Sequence, residues 1–125
     1  MDAKELGALG EMMFATEALR HGFSVCRPYC DRKFDLILEK NGRFHRIQIK
    51  TCKTLINDYY HFATSHGSGT REKYTRENID IICCIIPALR CFYMIPINKI
   101  KVKSVRLYPN KPDSRFSEFM NNWDF

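Results

Sequence analysis

The dipeptide Asn41-Gly42 separates two alternating, β-prone stretches, Phe34–Lys40 and Arg43–Cys52. The type I′ two-residue hairpin turn needs positive φ at both central positions, and Asn-Gly supplies it with little strain. This feature predicts a β-hairpin and also its register. With Lys40 opposite Arg43, Leu38 faces His45, Leu36 faces Ile47 and Phe34 faces Ile49, giving one mostly apolar face. The other face pairs Ile37 with Arg46, Asp35 with Gln48 and Lys33 with Lys50. A slip of one residue would exchange the faces and bury the polar set, so the pattern supports its own register.

Around this hairpin the chain reads as one α/β or α+β domain of 125 residues, with a central mixed sheet. Ala3–His21 is rich in Ala, Leu, Met and Glu and is followed by Gly22, which predicts a helix. A short extended piece, Phe23–Tyr29, comes next. The stretch after Thr51 is polar and loop-like, most open at His66-Gly67-Ser68-Gly69-Thr70. Ile79–Ile86 is a nearly continuous apolar run, as expected of a strand buried on both faces. Pro87–Arg90 is a turn, Cys91–Ile97 its partner strand, and Lys99–Leu107 alternates again. Ser114–Trp123 predicts a closing helix with Phe116, Phe119, Met120 and Trp123 on one side. That helix packs either on its own core or on a neighbouring molecule.

The polar face of the hairpin carries the chemistry. Asp35 and Gln48, as a direct cross-strand pair, have side-chain roots about 5 Å apart. Lys50 lies two residues along on the same face. A carboxylate, an amide oxygen and an ammonium group in one patch suit phosphodiester hydrolysis. Asp35 binds a hard divalent cation in this reading, the Gln48 amide and the Ile49 main-chain carbonyl offer neutral oxygens, and Lys50 orients water or balances charge. The same residues also suit an ordinary solvated hairpin face. Glu11 favours the first reading. Its helical neighbours Gly7, Ala8, Ala15 and Ala18 are all small, so the helix can approach the sheet closely and aim one carboxylate at it. The alternative is an exposed, alanine-rich helix face.

A net charge of +6 favours a polyanionic partner. Lys99, Lys101 and Lys103 would line one strand face as a rail for phosphates, or equally as a lysine-protected edge. Arg71, Lys73 and Arg76 form a second basic cluster beside the Gly-Ser loop, and Lys53 follows the hairpin directly. The six cysteines show no paired C-x-x-C spacing and read as reduced thiols of an intracellular, cytoplasmic protein. No apolar run is long enough for a membrane span, and no secretory signal opens the chain.

With Glu11 on the first helix, then Phe34-Asp35 and Gln48-Ile49-Lys50-Thr51 on the hairpin, the chain resembles the PD-(D/E)XK nuclease superfamily. More narrowly it is similar to the group I intron-associated homing endonucleases, and more distantly to archaeal Holliday-junction resolvases. The likeness runs from Gly7-Ala8-Leu9-Gly10-Glu11 through Ala18–Phe23, Tyr74 and Ile79-Asp80 to Tyr93-Met94-Ile95-Pro96-Ile97. Phe34 stands where the superfamily name puts proline, and Gln48 where it puts an acid. Glutamine at that position is a property of the intron-encoded branch; it removes one negative charge and gives Glu11 more weight as the second acid. The resemblance implies a restriction-endonuclease-like core and a DNA endonuclease dependent on Mg²⁺, with Mn²⁺ as a substitute. It also implies double-stranded or branched DNA as substrate and a homo-oligomer that cuts both strands. A four-way-junction resolvase is the alternative enzyme, and a non-catalytic DNA-binding module the alternative from another class.

Overall fold

Asn41 and Gly42 adopt φ of 54° and 78°, and they join β2 (Leu36–Lys40) to β3 (Arg43–Thr51) in a computed structural model that describes residues 1–125. Lys40 pairs with Arg43, Leu38 with His45 and Leu36 with Ile47, as the turn predicts. Helix α1 (Ala3–Arg20) precedes them and begins on a capping box. The Asp2 carboxylate accepts the Glu5 N–H at 2.8 Å, and the Glu5 carboxylate accepts the Asp2 N–H at 3.0 Å. Gly22, at φ 86°, turns the chain back into β1 (Ser24–Cys26).

After the hairpin come β4 (Leu55–Ile56), β5 (Tyr59–Ala63), β6 (Ser65–His66), β7 (Glu72–Lys73), β8 (Ile81–Ile86), β9 (Cys91–Pro96) and β10 (Ser104–Leu107). The main sheet has the order β1-β2-β3-β8-β9, and only the β3–β8 pair is parallel. A parallel pair needs a long crossover, which usually carries a helix. Here the crossover carries strands instead. Joined by β10 from beyond β9, they build a second sheet, β10-β5-β4, and by themselves a small β6–β7 ladder.

The main sheet is therefore covered by α1 on one face and by the second sheet on the other. The helix-side core gathers Phe14, Ala18, Leu36, Leu38, Ile47, Ile81, Cys83 and Trp123. The opposite core gathers Tyr60, Phe62, Tyr74, Ile82, Cys84, Tyr93, Val105 and Leu107. All six residues of β8 are buried, which accounts for its unbroken apolar run.

Three local expectations need correction. Ser114–Trp123 forms no α-helix; a 3-10 turn at Ser117–Phe119 is its only helical part. Phe116 packs into the second-sheet core while Trp123 packs into the helix-side core, so the segment serves two layers and turns between them at Ser117–Phe119 and at Asn121, whose φ is 53°. Tyr93 pairs with Met120, and the Phe92 N–H donates to the Asn121 side chain at 2.9 Å, tying the segment to β9. Lys99–Lys103 is not a strand either. Ile97–Lys99 is a 3-10 turn, Ile100 is buried and Val102 is exposed, so the apparent alternation breaks. Thr64 pins this coil, its N–H and hydroxyl each donating at 2.8 Å, to Lys103 O and Val102 O.

The third correction concerns how α1 meets the sheet. Ala8 is exposed and Gly7 has open space before it, so those small residues do not make the close approach. The buried line is Gly10, Phe14 and Ala18. A Cβ at Gly10 would overlap Thr51 Oγ1, which makes this glycine the point where helix and β3 touch.

Candidate active site

Asp35 stands one residue before β2, and its N–H donates to Ile47 O at 2.8 Å. Its carboxylate Oδ2 accepts the Ile49 N–H at 2.8 Å. The ladder ends with Leu36 opposite Ile47, Gln48 is the next residue along β3, and its amide nitrogen lies 3.5 Å from Ile49 O. Lys50 follows on the same face, its ammonium nitrogen 5.3 Å from the centre of the Tyr74 ring. Gly10 seats the next turn of α1 against Thr51, one residue beyond Lys50. Glu11 is thereby carried to the same end of the sheet, close enough for the Asp35 charge to act on it.

The electrostatics are those of a strained cluster. Burial pushes the Asp35 carboxyl above its ordinary value, against the pull of the Ile49 N–H and of the charges on Lys50 and Arg27. Burial and the Asp35 charge raise Glu11 as well, opposed by Arg27. Lys50 is shifted downward, first by burial and then by the Arg71 charge, with Asp35 opposing. Neither acid has a closely fitted cationic partner. The Arg27 guanidinium reaches Glu11 at 3.4 Å but is itself largely solvent-exposed. Glu11, Arg27, Tyr29, Arg32 and Asp35 line a groove of about 220 Å³ in front of the two carboxylates.

This donor set fits a hard divalent cation. Nowhere in the chain do three or more His, Cys, Asp or Glu side chains gather, so a cation here would rest on two carboxylates and on neutral oxygens from Gln48 and Ile49. All are oxygen donors of the kind Mg²⁺ takes. A cation would also relieve the repulsion between Asp35 and Glu11.

A sequence model of the PD-(D/E)XK endonucleases matches residues 1–124. The chain belongs to the PD-(D/E)XK endonuclease family. Among solved structures, that of a bacterial homing endonuclease, I-Ssp6803I, is similar with a TM-score of 0.86, covering 98% of this chain and 91% of that one. The sequence identity is 18%, and the likeness is one of fold. No curated protein matches the sequence significantly. A nuclease fold with a mixed five-stranded sheet is thus established, as the hairpin and its flanking elements led one to expect. No helix is long and apolar enough to cross a membrane.

Away from the carboxylates, the basic residues differ in how free they are. Arg71 is turned inward on its own loop, donating to Ser65 Oγ at 2.9 Å, to Gly67 O at 3.0 Å and to Ser65 O. It acts on the site through its charge on Lys50 and Tyr74. Lys53 donates to Met1 O at 3.1 Å. Lys73 is half-buried in β7, whereas Arg76, Lys99, Lys101 and Lys103 are exposed.

Sequence reasoning passed over Arg27, Gly10 and the pair Arg46–Asp80. Asp80 Oδ2 accepts the Arg46 main-chain N–H at 2.7 Å, and both carboxylate oxygens accept from the Arg46 guanidinium at 3.1 Å. Arg27 had no sequence signal of its own. It reaches the groove because β1 pairs with β2, Cys26 against Ile37, so the chain leaving β1 passes Asp35.

Proposed function

We propose that the chain is a divalent-metal-dependent DNA endonuclease centred on Asp35, with Glu11, Gln48 and Lys50 completing the site. The observation that carries this reading is the meeting of Asp35, Glu11 and Lys50 at one end of β3, each with its proton affinity displaced by burial. Asp35 and Glu11 supply the charged ligands, and the Ile49 carbonyl and the Gln48 amide oxygen the neutral ones. The contact with the Ile49 N–H holds one carboxylate oxygen of Asp35, a residue that lines the groove. Asp35, Glu11, Gln48 and the Ile49 carbonyl would hold Mg²⁺, or Mn²⁺ in its place, which would supply Lewis-acid activation of the phosphate and of water. Lys50, held over Tyr74, orients the attacking water and offsets charge that develops on the phosphate. Arg76, Lys99, Lys101 and Lys103 are free to contact backbone phosphates, while Lys53, Lys73 and Arg71 add positive potential nearby. A homo-oligomer would bring two such centres to the two strands of a duplex at once.

The test is cleavage of linear and four-way-junction DNA with Mg²⁺, comparing the native chain with Asp35→Ala and Lys50→Ala. Cleavage by the native chain, lost in both variants, is the expected result. A preference for linear duplex favours a homing-type activity, and a preference for the junction favours a resolvase. DNA binding without cleavage under any divalent metal would leave a non-catalytic DNA-binding module instead. Sedimentation of the same samples gives the oligomeric state.

A further inference from the structure

Beyond the candidate centre, the second sheet has an outward face whose side chains serve no core. In β5 and β10, Tyr60, Phe62, Val105 and Leu107 point inward and are buried. The alternate residues point out: His61 lies opposite Arg106, and Ala63 opposite Ser104. The third strand, β4, pairs only with Tyr59 and Tyr60. From His61 to Ala63 the sheet is therefore a ribbon two strands wide.

This face is organised. The Arg106 guanidinium lies 4.6 Å from the centre of the Tyr59 ring, Tyr59 packs on Tyr108 at 5.7 Å, and the Lys111 ammonium sits 4.8 Å over Tyr108. Lys111 is held in turn by Asp58 at 2.7 Å. Exposed cation–π contacts contribute little to stability. Their effect here is to fix a guanidinium whose charge enters none of the chain's ion pairs. Lys101 and Lys103 are exposed at the narrow end, in a coil whose main chain is tied to Thr64 through Val102 O and Lys103 O.

We infer that the β5–β10 ribbon enters the major groove of duplex DNA and reads base edges through Arg106 and His61, with Lys101 and Lys103 on the flanking phosphates. The inference rests on the nuclease reading above. The major groove, about 12 Å wide, admits a two-stranded ribbon, and arginine pairs with the O6 and N7 acceptors of guanine. Ala63 and Ser104 are short, so they let the ribbon backbone come near the bases at the end where the lysines stand.

Binding selection from a pool of random duplexes tests this, with the native chain in a chelator so that no strand is cut. Bound sequences are read for the native chain and for Arg106→Ala, His61→Ala, Lys101→Ala and Lys103→Ala, each checked for folding by circular dichroism. The native chain should enrich a motif containing guanine. Arg106→Ala should lose roughly ten- to a hundredfold of discrimination at one base pair, and His61→Ala should relax a neighbouring position. The lysine variants should keep the motif while each lowers the dependence of log K on log salt by about 1. The inference fails if Arg106→Ala and His61→Ala select the native motif, or if the native chain enriches none. It also fails if these two variants change the sedimenting mass and leave selection alone, which would assign the face to a second copy of the chain. Where no duplex is retained, the cleavage assay separates the cases: cutting preserved removes only the ribbon, and cutting absent removes the nuclease reading with it.

Discussion

Two aspartates meet β3 in nearly the same way and end in opposite states. Asp80 accepts the Arg46 N–H at 2.7 Å, and Asp35 accepts the Ile49 N–H at 2.8 Å. Both are partly buried. Asp80, however, also receives two contacts from the Arg46 guanidinium, whose remaining N–H groups donate to Glu77 O and Arg76 O. Those contacts outweigh burial and hold the Asp80 carboxyl below its ordinary range. Asp35 has the main-chain N–H but no guanidinium bound to it, and burial wins. One carboxylate is complete within the fold. The other keeps a raised carboxyl with no cationic side chain bound to it, the pattern by which a candidate chemical acid is told from a structural one.

Exchanging charge for amide at each site probes this contrast most strongly through activity. Asp35→Asn should lower the cleavage rate about 100-fold or more, on the scale of removing one electrostatic stabiliser from a site. Asp80→Asn should keep most of the activity at a temperature where it stays folded. Steady-state cleavage of one duplex by both variants decides this, and equal losses would erase the distinction.

Stability should reverse the order. Asp80→Asn leaves Arg46 without its counter-ion and should cost about 2 kcal/mol in urea denaturation. Asp35→Asn can still accept the Ile49 N–H and sheds a buried charge, so without metal it should be as stable as the native chain or more so. The pH dependence follows from the same shifts. Asp80 contributes its stability above the unfolded carboxylate value of about 3.9 and loses it as pH falls through the lower folded value. Asp35 works the other way: its folded value is raised, so the ionised form penalises the fold increasingly as pH climbs from about 4. Denaturation of both variants from pH 3 to pH 7 should therefore give difference curves of opposite sign.

Adding Mg²⁺ should narrow the gap between the two acids. At ten times Kd a bound ion stabilises the native state by about 1.4 kcal/mol. Thermal melts should show that gain for the native chain and for Asp80→Asn but not for Asp35→Asn. The smallest effect is reserved for Lys101→Ala, which touches neither acid and should change stability by less than about 0.5 kcal/mol; a larger change would mean that the coil beside Thr64 matters to the fold.

Local rules carried the reading of the hairpin. A tight turn fixes its own register, so the pairing from Lys40–Arg43 to Leu36–Ile47 could be read from Asn41-Gly42 alone. Beyond Leu36 it breaks, because the Asp35 N–H donates to Ile47 O and Phe34 packs into the second-sheet core while Ile49 lies in the helix-side core. The first helix and the buried run of β8 were legible for the same reason, since periodicity and capping are local. What failed depended on distant partners. Phe116, Phe119, Met120 and Trp123 have helical spacing, yet Phe116 and Trp123 belong to different cores and Asn121 sits at φ 53°. The strand Tyr59–Ala63 was missed because its polar outward residues read as loop, and only pairing with β10 makes it a strand. Of the candidate site, Glu11 was singled out through a stripe of small residues of which only Ala18 is buried, with Gly7 and Ala8 away from the sheet; Gly10 makes the close contact, and only the position of Thr51 reveals it.

The contact at Gly10 also sets a dimension. Thr51 turns toward the helix while Lys50, its neighbour in β3, lies over Tyr74 of the second-sheet core, so this one contact ties the height of α1 to the backbone that carries Lys50. Glu11 rides on the same turn of α1, and no choice of rotamer brings its backbone nearer to β3 than Gly10 and Thr51 allow. Any change in how far α1 stands from β3 would therefore begin at Gly10 and Thr51, two residues without a charge between them.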